Sequence, residues 1–281
     1  MKKKLEIIVK NKKIIIDYNF HNFLDHFLKA IDIDWDLVYL IDGPEGVGKT
    51  KFAVLNSFIL SKGNFGLKNI IFTVRQFFRA CDKVPDEGVI MWDEAVLGLL
   101  SVEYMRQMGV AITKKLTTIR KKRLKIIILA PYYFMLTKYI SVSRTKFLVH
   151  LHTPDFYKRG DFWLYSYKNK NKQYFKNKDK WIYDKTMIDF KGDTFYKENE
   201  ELIDSIIDWD EYEIKKTEAI ESINDDKNDK EKFIDQRNSL ICRYIEKNKS
   251  FNVKLKDSVK EISESIELTK NSVNKIYSDN K

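Results

Sequence analysis

Residues Gly43-Pro44-Glu45-Gly46-Val47-Gly48-Lys49-Thr50 carry the spacing G-x-x-x-x-G-K-[ST], between an apolar run at 37–41 and a segment of helical character from residue 50. Glycines in such a loop let the backbone curl so that successive N–H groups face one point, and the helix that follows turns its positive end toward the same point. The ligand that suits this arrangement is a polyphosphate. The spacing puts Lys49 within reach of the β- and γ-phosphates of a nucleoside triphosphate and the Thr50 hydroxyl on Mg2+. A glycine-rich turn with no ligand is the plainer alternative, and the strand before and helix after it weigh against that.

A second element points to hydrolysis. Gly88-Val89-Ile90-Met91-Trp92-Asp93-Glu94 is a short apolar run that ends in two carboxylates, the Walker B pattern. Asp93 is expected to hold Mg2+ through its water shell, and Glu94 to orient the attacking water or accept its proton. A single Asp at this place would serve equally as a helix cap; an Asp-Glu pair on a second apolar strand favours catalysis.

Around these motifs, apolar runs alternate with helix-like segments. A hairpin at 5–9 and 14–17 precedes helix 19–30, strand 37–41, helix 50–61, strand 69–73, helix 74–82, strand 88–92, helix 101–121 and strand 124–130. This order predicts an α/β fold, a mostly parallel sheet flanked by helices. Strand 147–152, then 162–167 and 173–175 across an Asn-Lys turn, predict an antiparallel extension.

The order of P-loop strand, intervening strand, Walker B and further apolar strand resembles P-loop NTPases that carry a catalytic glutamate. Residues 37–153 look like the FtsK/HerA-type DNA motors and the phage Zot-like ATPases. In that resemblance a long helix after Walker B ends in a basic segment, here Thr118-Ile119-Arg120-Lys121-Lys122-Arg123, and another arginine, here Arg144, precedes the next strand. The resemblance implies Mg2+-dependent ATP hydrolysis driving DNA translocation or genome packaging by a homo-oligomer, with a ring among its forms. ATP is favoured over GTP because no N-K-x-D guanine-reading motif occurs. The chain departs from these motors at Leu129-Ala130-Pro131-Tyr132, where they place a polar sensor, often Gln. A helicase loader of the AAA type and a nucleotide-gated DNA-binding adaptor with little turnover stay open beside the motor. If the chain forms a ring, Arg120, Arg123 or Arg144 is a candidate finger reaching a neighbour's γ-phosphate; neutralising the end of a helix is the plainer role for the first two.

The chain has 281 residues, 43% apolar, and a net charge of +10. Residues 1–197 hold +16, residues 198–235 hold −10 and residues 236–281 hold +4. These shifts suggest an ATPase domain at 1–197, an acidic helical connector at 198–235 and a C-terminal module at 236–281. The basic balance fits a polyanionic partner such as DNA, although abundant Lys, Ile and Asn also follow from AT-rich coding. Cys81 and Cys242 stand far apart, which implies neither a disulfide framework nor a zinc site. No apolar run reaches the length of a membrane span and no signal peptide is visible, so a cytoplasmic protein is expected.

Two further stretches bear on DNA. Residues 167–181 interleave six lysines with Tyr167, Tyr174, Phe175 and Trp181, a composition that suits phosphates and stacked bases and equally a solvated surface element. In the tail, Ile262, Ile266, Leu268, Val273 and Ile276 are spaced as in a helix-turn-helix, with helices at 258–266 and 270–277, a turn near Glu267 and a supporting helix at 230–248. It resembles the small helix-turn-helix modules of resolvases and regulators, in which Thr269, Lys270, Asn271, Ser272 and Asn274 would contact DNA. A helical pair used for oligomerisation has the same spacing.

Overall fold

The computed structural model describes residues 3–93, 95, 112, 114–117, 119–153, 160–194, 196–250, 253–265 and 268–279. The chain divides into two units, Met1–Ile220 and Glu221–Lys281.

The first unit opens with the expected hairpin, β1 (Lys4–Val9) and β2 (Lys12–Asp17), antiparallel with Lys4 opposite Asp17. Its tight turn is made by Lys10 and Asn11, both with positive φ. Asp17 then caps α1 (Tyr18–Ile31), its carboxylate accepting from Phe20 N at 3.0 Å. Next come β3 (Leu37–Asp42), α2 (Lys49–Leu60), β4 (Ile70–Ile71), α3 (Val74–Lys83), β5 (Val89–Trp92) and β6 (Lys125–Ala130). Thr73 and Gln76 close a capping box at the start of α3, satisfying N–H groups that have no partner within the helix. Strands β7 (Leu148–His152), β8 (Asp161–Tyr165) and β9 (Phe190–Asp193) complete a seven-stranded sheet in the order β4-β5-β6-β3-β7-β8-β9. The pairs from β4 through β7 are parallel, and β8 and β9 add on antiparallel.

β3 and β6 are buried at every position, as expected of strands covered on both faces. Leu37, Tyr39 and Ile41 point into one core with Phe20 of α1 and Phe52 and Val54 of α2. Val38 and Leu40 point into the other, with Phe77 of α3, Tyr133 and Phe134. This is the α/β sheet with helices on both faces and an antiparallel extension that the alternation predicts.

One assignment is corrected. Residues 173–175 are not a strand: they lie within α4 (Tyr167–Asn177), and β9 supplies the outer strand of the extension. The buried positions of α4 are Lys170, Gln173, Tyr174 and Asn177, a helical spacing made largely of polar side chains, which an apolar pattern does not register. The expected helix at 101–121 lies mostly outside the described residues; within it, 114–117 are helical and Ile119–Lys122 form a 3-10 turn.

After β9 come α5 (Glu200–Ile206) and α6 (Trp209–Ser250), followed by α7 (Leu255–Ser265) and α8 (Lys270–Asp279). Ile203, Ile207 and Tyr212 join the core beside α2, so the first part of the acidic segment is built into the first unit. In the second unit, Ile241 and Ile245 of α6 form a separate core with Val259, Ile262, Val273 and Tyr277. The turn at Glu267 lies outside the described residues. No helix among the described residues is long and apolar enough to cross a membrane.

Candidate functional site

β3 delivers the chain into the glycine loop at the C-terminal end of the parallel strands, where ligands of α/β sheets bind. Gly43 has φ +143°, and a Cβ there would lie 2.2 Å from Leu151 O, so the backbone passes β7 too closely for any side chain. Gly46 and Gly48 have φ of +73° and +99°, and Gly48 leads directly into α2. Val47, 4% exposed, pins the loop into the core below. Lys49 Nζ folds back onto the loop, donating to Gly43 O at 2.6 Å and Pro44 O at 2.8 Å. Its charge therefore stands beside the bowl in which phosphates would sit.

β6 separates β3 from β5, yet the two carboxyl ends converge across it. Thr50 Oγ1 donates to Asp93 Oδ2 at 3.1 Å, and Asp93, 3% exposed, is held by its N–H on Ile71 O at 2.9 Å. A hydroxyl and a carboxylate meeting at the head of α2 are hard oxygen donors that fit Mg2+, which takes few protein ligands beside the substrate's phosphates. Glu94 lies outside the described residues.

A third group reaches this point. Tyr212 of α6, 2% exposed, donates its hydroxyl to Asp93 Oδ2 at 2.5 Å. Burial and the adjacent carboxylate push its phenol well above the ordinary range, so it remains a donor. Lys51 pairs with Asp204 at 2.9 Å and lies 5.6 Å over the Trp209 ring. The spacing of the motifs contains no sign of these contacts.

A second buried polar cluster lies on the other face of the sheet. Asp42, fully buried, accepts from Tyr133 N at 2.8 Å and from the Tyr183 hydroxyl, and its Oδ1 meets His150 Nδ1 at 2.9 Å. Burial and Asp42 drive the Tyr183 phenol far upward. Burial, then His150, lowers the pKa of His152. The backbone after β6 is thus held by a carboxylate from β3. The available signal was an Asp directly before Gly43 and a His-x-His at the end of an apolar strand.

The three candidate arginines lie at the opposite edge, where β3, β6 and β7 begin. Arg120 is exposed, donates from Nε to Asp34 O at 3.2 Å and covers Trp35 at 5.6 Å. Arg123 pairs with Glu87 at 2.9 Å. Arg144 is buried in a bidentate pair with Asp36. Six residues of β3 put roughly 20 Å between that edge and the glycine loop of the same subunit.

Along 167–181 the lysines divide. Lys168, Lys172, Lys176, Lys178 and Lys180 are exposed, as are Tyr167, Phe175 and Trp181. Lys170 is fully buried, donating to Ser141 O at 2.6 Å and Val142 O at 3.1 Å, and burial lowers its pKa to about 7. Trp181 stacks on Tyr132 with centroids 5.2 Å apart. In the tail, Thr269, Lys270, Asn271 and Asn274 are exposed, and Thr269 Oγ1 caps α8 by accepting from Ser272 N at 3.2 Å.

No protein-family model and no curated protein matches the chain. Among solved structures it is similar to the genome packaging NTPase B204 from Sulfolobus turreted icosahedral virus 2 in complex with AMP, at 13% identity, over 49% of this chain and 95% of that one, with a TM-score of 0.33.

Proposed function

We propose that this chain is a Mg2+-dependent ATPase that acts on DNA, as a translocation or packaging motor working in a homo-oligomer. The observation that carries the reading is the Thr50 to Asp93 hydrogen bond at the head of α2, which joins two motifs 43 residues apart at the mouth of the glycine loop. Backbone N–H groups of residues 45–50 bind the phosphates, and Lys49 exchanges its bonds to Gly43 O and Pro44 O for phosphate oxygens. Thr50 and Asp93 hold Mg2+, which when bound neutralises charge on the β- and γ-phosphates. Glu94 orients the attacking water. Arg123 and Arg144 have acidic partners within the subunit, so the exposed Arg120 is the first choice for a finger acting on a neighbouring subunit.

DNA is assigned to two basic surfaces. One is α4 and the segment after it, where Lys176, Lys178, Lys180 and Trp181 are exposed; the other is the exposed start of α8. The charge of +10 supports a polyanion over other partners.

Binding and turnover with and without DNA test the assignment. Lys49→Ala is expected to abolish nucleotide binding or turnover, whereas Glu94→Gln keeps binding and loses hydrolysis. Wild-type turnover in Glu94→Gln would remove Glu94 from the mechanism. Tight ATP binding with negligible DNA-stimulated turnover in the wild type would replace the motor by a nucleotide-gated adaptor.

A further inference from the structure

Tyr212 belongs neither to the glycine loop nor to the strand that carries Asp93, yet its hydroxyl shares Asp93 Oδ2 with Thr50, at 2.5 and 3.1 Å respectively. Its ring is seated between Phe72 and Trp209, each with its centroid 5.5 Å away. The element that presents it is anchored as well. Ile203, Ile207 and Ala219 share a core with Phe52 and Val54 of α2, and Lys51, the neighbour of Thr50 in sequence, is paired with Asp204. The hydroxyl is therefore delivered by a packed segment to a fixed point.

We infer that Tyr212 is a positioning residue for the metal side of the nucleotide site, holding the Asp93 carboxylate in the rotamer from which it meets the water shell of Mg2+. The inference rests on the nucleotide reading above. A carboxylate at the end of a strand turns about its own side-chain bonds, and two hydroxyl donors converging on one of its oxygens remove that freedom before the metal arrives. Groups that orient a metal's ligands in this way commonly change metal affinity by about 10–100-fold when removed. Coupling of this kind is reciprocal: metal bound beside Asp93 strengthens the seat of Tyr212, and with it the first turns of α6.

The test uses full-length protein carrying Tyr212→Phe, which keeps the ring in its seat and removes one oxygen. Binding of a fluorescent, non-hydrolysable ATP analogue is followed as Mg2+ is titrated, and in parallel in EDTA. The half-saturating Mg2+ concentration is expected to rise about tenfold while affinity in EDTA stays as in the wild type. Amides 209–220 of the wild type are expected to gain protection from hydrogen exchange when Mg2+ joins the analogue, and Tyr212→Phe to lose that gain. An unchanged or lowered Mg2+ requirement in the variant overturns the inference, as does an equal loss of affinity with and without Mg2+, which marks general damage to the fold. Wild-type protein that binds no analogue under any condition refutes the nucleotide reading itself.

Discussion

Replacing Gly43 by Ala tests the geometry of the glycine loop more sharply than replacing any side chain in it. The new Cβ would lie 2.2 Å from Leu151 O, and the φ of +143° is one that L-residues rarely adopt. The atom in the way belongs to the backbone of β7, so neither partner can swing aside; the loop must move. The bond from Gly43 N to Pro131 O, 3.3 Å long, moves with it. Strain of about 1–3 kcal/mol and a lost hydrogen bond of about 1 kcal/mol together cost about 2–4 kcal/mol. For a domain of this size that lowers Tm by roughly 4–16 °C. Gly46→Ala is the control. Its φ is +73° but nothing stands within 4 Å of the added methyl, so only the left-handed backbone is penalised, by about 1–2 kcal/mol. Thermal melting and urea denaturation of both variants, with binding of an ATP analogue to each, separate the two terms. Gly43→Ala should be the less stable and should bind the analogue more weakly than Gly46→Ala. If the two melt together, the close approach of the loop to β7 is wrong.

Three further outcomes follow from buried charge and from the tail. Lys170 has a pKa of about 7 in the folded chain against an ordinary value near 10.4 when unfolded, so between these limits the unfolded chain binds the extra proton and stability rises with pH. Urea midpoints compared at neutral and mildly alkaline pH should show that rise in the wild type and a smaller one in Lys170→Met. Arg144→Met leaves Asp36, 6% exposed, without its guanidinium and should cost about 3–5 kcal/mol in urea denaturation, much of which is recovered when Asp36→Leu is added; no recovery would show that the pair is not the source of the loss. Deleting residues 236–281 should weaken duplex DNA binding and leave basal ATP hydrolysis near the wild-type rate, and Lys270→Ala in the full chain should reduce the salt dependence of DNA binding by about one counterion. A truncated protein that loses its oligomeric state but keeps its DNA affinity per subunit would assign the tail to assembly.

The sequence by itself determined what depends on neighbours in the chain. Glycines at 43, 46 and 48, an apolar strand before them and Lys49-Thr50 after them are a local pattern, because the loop's curvature is set by its own φ angles. The buried runs of β3, β5 and β6 were legible for a similar reason: a strand covered on both faces must be apolar throughout. The helix α4 was misread in part because its buried face is Lys170, Gln173 and Asn177 around Tyr174, residues whose burial is made tolerable by carbonyls of a distant segment such as Ser141 and Val142. Tertiary structure alone decided the rest. Tyr212 meets Asp93 across 119 residues, Tyr183 meets Asp42 across 141 and Arg144 meets Asp36 across 108. A tyrosine in an acidic segment and an arginine before a strand carry no local mark of burial; the fold removes both from water. Each then requires a partner, since a buried polar group without one is costly, and which partner it finds is set by the topology of the sheet and the helices packed on it.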